Sequence, residues 1–202
     1  MKTIIKKGKL TKQLILEKAT EMASKIGLQG LSIGQLANAL EMSKSGLFAH
    51  FGSKEELQIQ VLQTAAALFA QKVSRPALKM PRGVARFQAL FEFWLEWGLS
   101  EAQATRGGCL FVASAIELDD QPGPVRDELV RIQSEWIHVL EKSFVFGQEV
   151  GQFRPELDPA TVVQEVYGLL LSSHFYVRLL GQKQALQRVR NLFSDLLIRI
   201  QK

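Results

Sequence analysis

Residues 31–57, LSIGQLANALEMSKSGLFAHFGSKEEL, constrain this 202-residue chain more than any other stretch. Ser32 stands three residues before Gln35, and Ser53 three before Glu56. At that spacing a serine and a Glu or Gln satisfy the free N–H groups of a helix's first turn. Ser43 is a third candidate N-cap. After Ser32, the apolar positions Ile33, Leu36, Ala37 and Leu40 recur at helical spacing. After Ser43, Leu47 and Phe51 lie four apart and point inward, which leaves Lys44, Ser45 and Phe48 on the exposed face. Glu41-Met42-Ser43 reads as the turn and Gly52 as the end of the second helix. The segment predicts two short helices, a tight turn between them, and the capped start of a third.

A helix-turn-helix whose second helix carries small polar and basic residues at its N-terminus can reach base edges in the major groove. Lys44 and Ser45 are the base-reading candidates; lysine donates to guanine O6 and N7, and serine is less selective. Gly46 lets the backbone approach closely. Phe48 can offer only an apolar contact, such as one with a thymine methyl. His50 and Lys54 are phosphate candidates, and Lys54 lies in a first helical turn whose N–H groups also suit an anion. His50 can also be read as a half-buried histidine that packs the domain. Ser32 and Ser43 complete the candidate DNA-binding set.

The extended pattern S-x-x-x-L-F-x-H-F-x-x-K-x-x-L, here Ser43, Leu47, Phe48, His50, Phe51, Lys54 and Leu57, resembles the TetR family of transcriptional regulators. The likeness is sharp over residues 10–57 and elsewhere rests on length and helical layout. It implies a homodimeric, ligand-responsive DNA-binding protein, usually a repressor. The implied division is a helix-turn-helix domain over residues 1–57 and a ligand-binding and dimerisation domain over residues 58–202. Two positions depart from the family pattern. Glu41 stands where glycine is common; in a left-handed conformation it would cost about 1 kcal/mol. Phe48 stands where tyrosine is frequent.

Charge placement fits this reading. Residues 1–58 hold nine Lys against five Glu, with no Arg or Asp, so four of the net +5 charges lie there. Such lysines would supply salt-dependent affinity for phosphates; charge alone favours a solvated tail, and the adjacent motif reverses that preference. Lys2, Lys6, Lys7 and Lys9 lie in a segment predicted to be disordered when free, either a basic arm for DNA or a plain tail. The single cysteine excludes an internal disulfide framework and a Cys-rich zinc site and fits a reducing cytoplasm. No apolar run is long enough to span a bilayer, and Ile4-Ile5 is too short for a signal peptide.

The rest of the chain predicts an all-α protein of about nine helices. Thr11 caps a first helix, with Ile15, Ala19, Met22, Ala23 and Ile26 inward and Gly27 closing it. The fourth helix, residues 54–73, links the two domains until Arg75-Pro76 breaks it. The fifth, residues 82–99, carries Phe87, Phe91 and Trp94, read either as core or as the wall of a pocket for an apolar or aromatic ligand. Cys109 and Phe111 open the sixth helix. Cys109 is a buried thiol or, given access and a lowered pKa, a redox sensor. Glu117 faces solvent or a polar ligand group. Trp136, on the seventh helix, could line the same pocket as Trp94. The ligand-binding candidates are therefore Phe87, Phe91, Trp94, Cys109, Phe111 and Trp136. Asp158-Pro159 starts the eighth helix. The eighth and ninth helices, residues 159–180 and 183–200, carry apolar stripes wide enough to pair with a second copy.

Three functions are compatible with these residues. The first is a homodimeric repressor that binds a palindromic double-stranded DNA operator and is released by a small effector. The second is a small helical enzyme; His50, His138 and His174 are far apart, and HExxH, GxSxG and phosphate-loop patterns are lacking. The third is a helical adaptor. Nothing indicates a catalytic set, a metal, a cofactor or a membrane partner.

Overall fold

The computed structural model describes residues 2–99 and 107–202, with side chains from residue 12 onward. Among these residues every regular element is a helix, apart from one isolated antiparallel bridge between Phe153 and Gln201. The helices are α1 (Lys2–Ile26), α2 (Ile33–Ala39), α3 (Lys44–Phe51), α4 (Lys54–Phe69), α5 (Val84–Leu99), α6 (Leu110–Leu118), α7 (Pro124–Glu149), α8 (Pro159–His174) and α9 (Ala185–Ile200). Two of these rods continue through a π-turn. α4 passes through Ala70–Ser74 into Arg75–Leu78, and α8 passes through Phe175–Leu179.

Three local expectations are corrected. Arg75-Pro76 does not break the fourth helix. The wide turn lets the Arg75 N–H donate to the Ala70 carbonyl, and proline then occupies the first turn of the next segment. A proline there removes no bond the helix needs. The N-terminal segment is helical from Lys2 rather than starting at Thr11. It contains no proline, and extending an existing helix gains one hydrogen bond per residue fixed. Ile26, expected on the inner stripe, is solvent-exposed. Gly27 turns left-handed at φ 82° and brings Leu28 into the core instead.

Two compact units divide the described chain. Residues 2–68 and 107–132 form the first; residues 69–99 and 133–202 form the second. In the first unit, Ile15, Ala19 and Ala23 of α1, Leu36 and Ala37 of α2, and Leu47 and Phe51 of α3 are buried with Leu57, Val61 and Leu62 of α4. The caps are those expected: Gln35 N donates to Ser32 Oγ at 3.2 Å, Gly46 N to Ser43 Oγ at 3.1 Å and Glu56 N to Ser53 Oγ at 3.0 Å.

The second unit is centred on stacked phenylalanines. Phe91 lies on Phe193 with ring centroids 3.7 Å apart and planes 2° from parallel. Phe144 and Phe153 stack at 4.9 Å, and Phe87 packs against both. Arg190 of α9 donates to Glu92 of α5 at 3.0 Å, and Arg199 bonds Glu165 of α8. Asp158 caps α8 by accepting from Thr161 Oγ1 at 2.7 Å and Thr161 N at 2.8 Å; the hydroxyl first, and then the N–H, holds its carboxyl below the usual range.

Gly147 makes room for the Phe153 ring, since a Cβ there would lie 2.1 Å from it. Gly147→Ala is therefore expected to destabilise the fold by roughly 1–3 kcal/mol through overpacking. Urea titration checks this: the midpoint should fall with the slope unchanged.

Candidate nucleic-acid interface and effector region

The turn before α3 is tight. Glu41 adopts φ 53°, the left-handed conformation that its departure from glycine made costly. Leu40 N and Met42 N both donate to the Ala37 carbonyl, at 3.2 and 2.9 Å, closing the turn without glycine. Leu47 and Phe51 anchor α3 in the core, and Lys12 Nζ lies 5.5 Å from the centroid of the Phe51 ring. Lys44, Ser45 and Phe48 are exposed, as the spacing predicts.

The candidates divide by what they already touch. Ser32 and Ser43 spend their hydroxyls on caps, and Ser43 Oγ also lies 3.3 Å from Ser45 Oγ. Gly46 is half-buried; a Cβ there would sit 3.0 Å from Ser43 Oγ, so glycine keeps the cap undisturbed. Lys44 runs its stem across Gly34 of α2, whose Cβ would meet Lys44 Cε at 3.1 Å. Gly34 was not singled out from the sequence, because nothing local marks which side chain crosses it. His50 is half-buried, its ring tilted against Phe51 at 6.2 Å. Lys54 donates to the Gln29 carbonyl at 2.7 Å, so its ammonium already has an internal partner.

That bond belongs to a junction the sequence did not reveal. Leu28 N and Gln29 N donate to the Glu117 carboxylate at 2.8 and 3.2 Å. The Leu28 carbonyl accepts from buried Gln58 at 2.8 Å, and Gln29 Nε2 donates to Gln121 at 3.2 Å. Glu117, expected to face solvent or a ligand, instead holds the loop after α1. Gly27 is required beside it, since a Cβ would fall 1.8 Å from the carboxylate. Just before α6, Gly108 N donates to Ser24 O of α1 at 3.4 Å.

The effector candidates fall in both units. Cys109 and Phe111 are buried in the first, with Cys109 as the α6 N-cap residue. A thiol only 2% exposed lacks the access a redox sensor requires. In the second unit, Phe87 and Phe91 belong to the phenylalanine core. Trp94 and Trp136 come together, edge to face at 5.3 Å, with Phe69 at 4.7 Å from Trp136 and Tyr167 at 4.8 Å from Trp94. Tyr167 donates to Gln133 at 2.6 Å. Trp136 Nε1 is buried with no hydrogen-bond partner among the described residues.

On α8 and its π-turn, Leu171, Phe175, Tyr176 and Leu179 are exposed, as are Leu192 and Ile198 on α9. Between them lies an open cleft of about 350 Å³, lined by Ser172, Ser173, Tyr176, Gln182, Arg188 and Leu192. His174 sits beside it in sequence. Burial first, and then the Arg178 charge, push its pKa below the ordinary 6.5, and its Nε2 is unpartnered. No described helix is long and apolar enough to cross a membrane. Among the described residues no group of three or more His, Cys, Asp or Glu side chains is placed to hold a metal.

A short, doubly capped helix with a polar and basic outer face, set in an all-helical chain of this layout, defines the class of helix-turn-helix transcriptional regulators. Residues 15–61 match the family described as bacterial regulatory proteins, tetR family, and residues 83–193 match the tetracyclin repressor-like C-terminal domain. The chain is 31% identical over 150 residues to the HTH-type transcriptional repressor DhaR of Mycobacterium sp. (strain GP1), covering 73% of this chain and 72% of that protein. Its fold matches a TetR transcriptional regulator from Chloroflexus aurantiacus J-10-FL with a TM-score of 0.86 at 21% identity, over 97% of this chain and 98% of that one. It also matches AibR, solved with isovaleryl coenzyme A and operator DNA, with a TM-score of 0.66 at 22% identity, over 82% and 84%. The chain belongs to the TetR family: it is a DNA-binding transcriptional regulator and not an enzyme.

Two measurements follow from this geometry. Glu117→Ala strands the buried Leu28 N–H and is expected to cost on the order of 1–3 kcal/mol. Amide exchange at Leu28 and Gln29 should accelerate in the variant, and unchanged exchange would remove the clamp role. His174 has a lowered folded pKa, so between that value and 6.5 the unfolded chain binds a proton that the folded chain does not. Its contribution is complete above 6.5 and is lost as the pH falls through that window. Urea midpoints compared at about pH 7 and about pH 5 should therefore drop more for the native chain than for His174→Gln.

Proposed function

We propose that the chain is a ligand-responsive repressor that binds a palindromic operator as a homodimer and is released by a small apolar or aromatic effector. The observation that carries this reading is the exposed Lys44-Ser45-Phe48 face of a capped, core-anchored α3. Lys44 and Ser45 read base edges and Phe48 adds apolar contact. The lysine excess of the N-terminal segment, with His50 at the domain edge, supplies phosphate affinity. Ser32, Ser43 and Gly46 position α3. Lys54 acts through Gln29 rather than as a free ammonium.

The apolar faces of α8 and α9 support dimerisation, since water-exposed leucine and phenylalanine at that density mark an interaction site. Two copies of α3 related by a two-fold would then meet half-sites about 34–36 Å apart. The cluster of Trp94, Trp136, Phe69 and Tyr167 supports an aromatic effector, and the unpaired Trp136 N–H favours one that carries a hydrogen-bond acceptor. Phe87 and Phe91 act as packing residues of the same unit, and Cys109 and Phe111 as packing residues of the first. An effector that fits only one arrangement of the dimer shifts the population away from the DNA-competent one. The printed names of relatives agree with the repressor reading: DhaR is named a transcriptional repressor, and AibR was solved with an acyl coenzyme A and operator DNA.

The test is titration of a fluorescent fragment from upstream of the protein's own gene, at several salt concentrations and against random competitor DNA. Tight, competitor-resistant binding by two protomers per site is expected. Lys44→Ala and Ser45→Ala should weaken it about tenfold each, within the 1–3 kcal/mol that a base contact supplies, and leave weak binding to random DNA intact. An adaptor would keep its activity in both variants, and that result would overturn the reading.

A further inference from the structure

We propose that the cleft between the end of α8 and the first half of α9 is a binding site for a small monocarboxylate with an apolar chain. The site lies wholly within the second unit. It shares no residue with α3 or with the tryptophan cluster, and it requires neither the DNA-reading role nor the aromatic effector.

Charge selects the head group. Residues 166–194 hold Arg178, Lys183, Arg188 and Arg190 and no Asp or Glu. Arg190 is answered by Glu92 of α5. Arg188, in the wall of the cleft, has no carboxylate partner among the described residues. Its Nη2 donates to the neutral Gln182 Oε1 at 2.7 Å, and its guanidinium carbon lies 5.5 Å from the centroid of the Tyr176 ring. These contacts hold the guanidinium at the cleft and leave its other N–H groups open to an acceptor. They also orient the Gln182 amide: its oxygen is taken by Arg188, so its NH2 adds two donors beside the fork. The cleft serines do not compete for Arg188, because Ser172 and Ser173 both donate to the Leu169 carbonyl. A guanidinium fork matches the two oxygens of a carboxylate. One guanidinium balances one negative charge, which favours a carboxylate over a phosphate dianion.

The walls select the chain. Ala185, Val189 and Leu192 follow each other at helical spacing along α9, and Tyr176 lines the cleft from the π-turn of α8. Ala185 and Val189 are 4% and 2% exposed, so the apolar floor is built within one protomer. Leu192 and Tyr176 remain 51% and 43% exposed, which leaves apolar surface for an alkyl chain to cover. The cleft volume of about 350 Å³ falls in the range of small-molecule sites, roughly 300–1,000 Å³. A lipid surface needs no concave site of this kind.

The experiment is calorimetric titration of the full chain with sodium octanoate and, in parallel, with 1-octanol, which has the same chain and no charge. Octanoate should bind at one per protomer, and octanol about tenfold more weakly, the value of a charge-assisted hydrogen bond. Arg188→Gln should weaken octanoate by about the same factor and bring it level with octanol. Arg188→Lys keeps the charge without the fork and should fall between. Leu192→Ser should weaken both ligands alike. The proposal is overturned if octanoate does not bind or if octanol binds as well. It is also overturned if Arg188→Gln leaves octanoate affinity unchanged, which would place the ligand elsewhere in the protein. Arg188-dependent cosedimentation with phosphatidylglycerol vesicles, without octanoate binding, would overturn it in favour of a lipid surface.

Discussion

The first unit depends on two consecutive peptide groups, those of Leu28 and Gln29. α1 ends at Gly27, and a helix end leaves backbone donors and acceptors without intrahelical partners. The core position of Leu28 removes most of the water that would otherwise satisfy them. The N–H groups go to Glu117 of α6, and the carbonyls go to Gln58 and Lys54 of α4. Both faces of the same two residues are thus taken, one by each helix. A shift of either helix must break these bonds or carry the loop with it. The loop leads directly into Leu31 and Ser32, the buried residue and cap from which α2 begins.

What α2 and α3 lack in length they gain from these fixed ends. Isolated helices of seven and eight residues would not form in water. Here each has a serine cap, and α3 has two core anchors. The left-handed Glu41 stores a small conformational cost in the turn, which the surrounding bonds sustain. The outer face of α3 is therefore set before any partner arrives, and a preorganised face loses less entropy on binding.

Local signals made much of this legible. Serine caps, helix periods, the Asp158-Pro159 start and the exposed Lys44-Ser45-Phe48 face all depend on residues within four positions of each other. The Glu117 clamp was not legible, because its partners lie 88 and 89 residues away. A charge in an apolar helix announces that it needs a partner without saying which. The π-turns were missed because one widened turn hardly alters an apolar period, and Pro76 was misread because a widened turn removes the conflict that proline normally creates. Phe87, Phe91 and Trp94 form one stripe in sequence and two environments in space. The first two stack into a hydrocarbon core, while Trp94 joins a cluster that carries polar atoms.

That difference gives the second unit two chemically distinct aromatic regions. The phenylalanine stack is closed by its own packing, with a ring at 3.7 Å on Phe91 and glycine needed to admit Phe153. Opening it would forfeit dispersion contacts on every side. The tryptophan cluster instead carries a buried Trp136 N–H with no partner among the described residues, and a buried donor left without a bond costs roughly 1–3 kcal/mol. A molecule that accepts from this N–H gains its own contacts and also removes that cost, whereas a pure hydrocarbon gains only the contacts. The two aromatic regions thus differ in chemistry: one is hydrocarbon packed on hydrocarbon, and the other carries a donor at Trp136 and a hydroxyl at Tyr167.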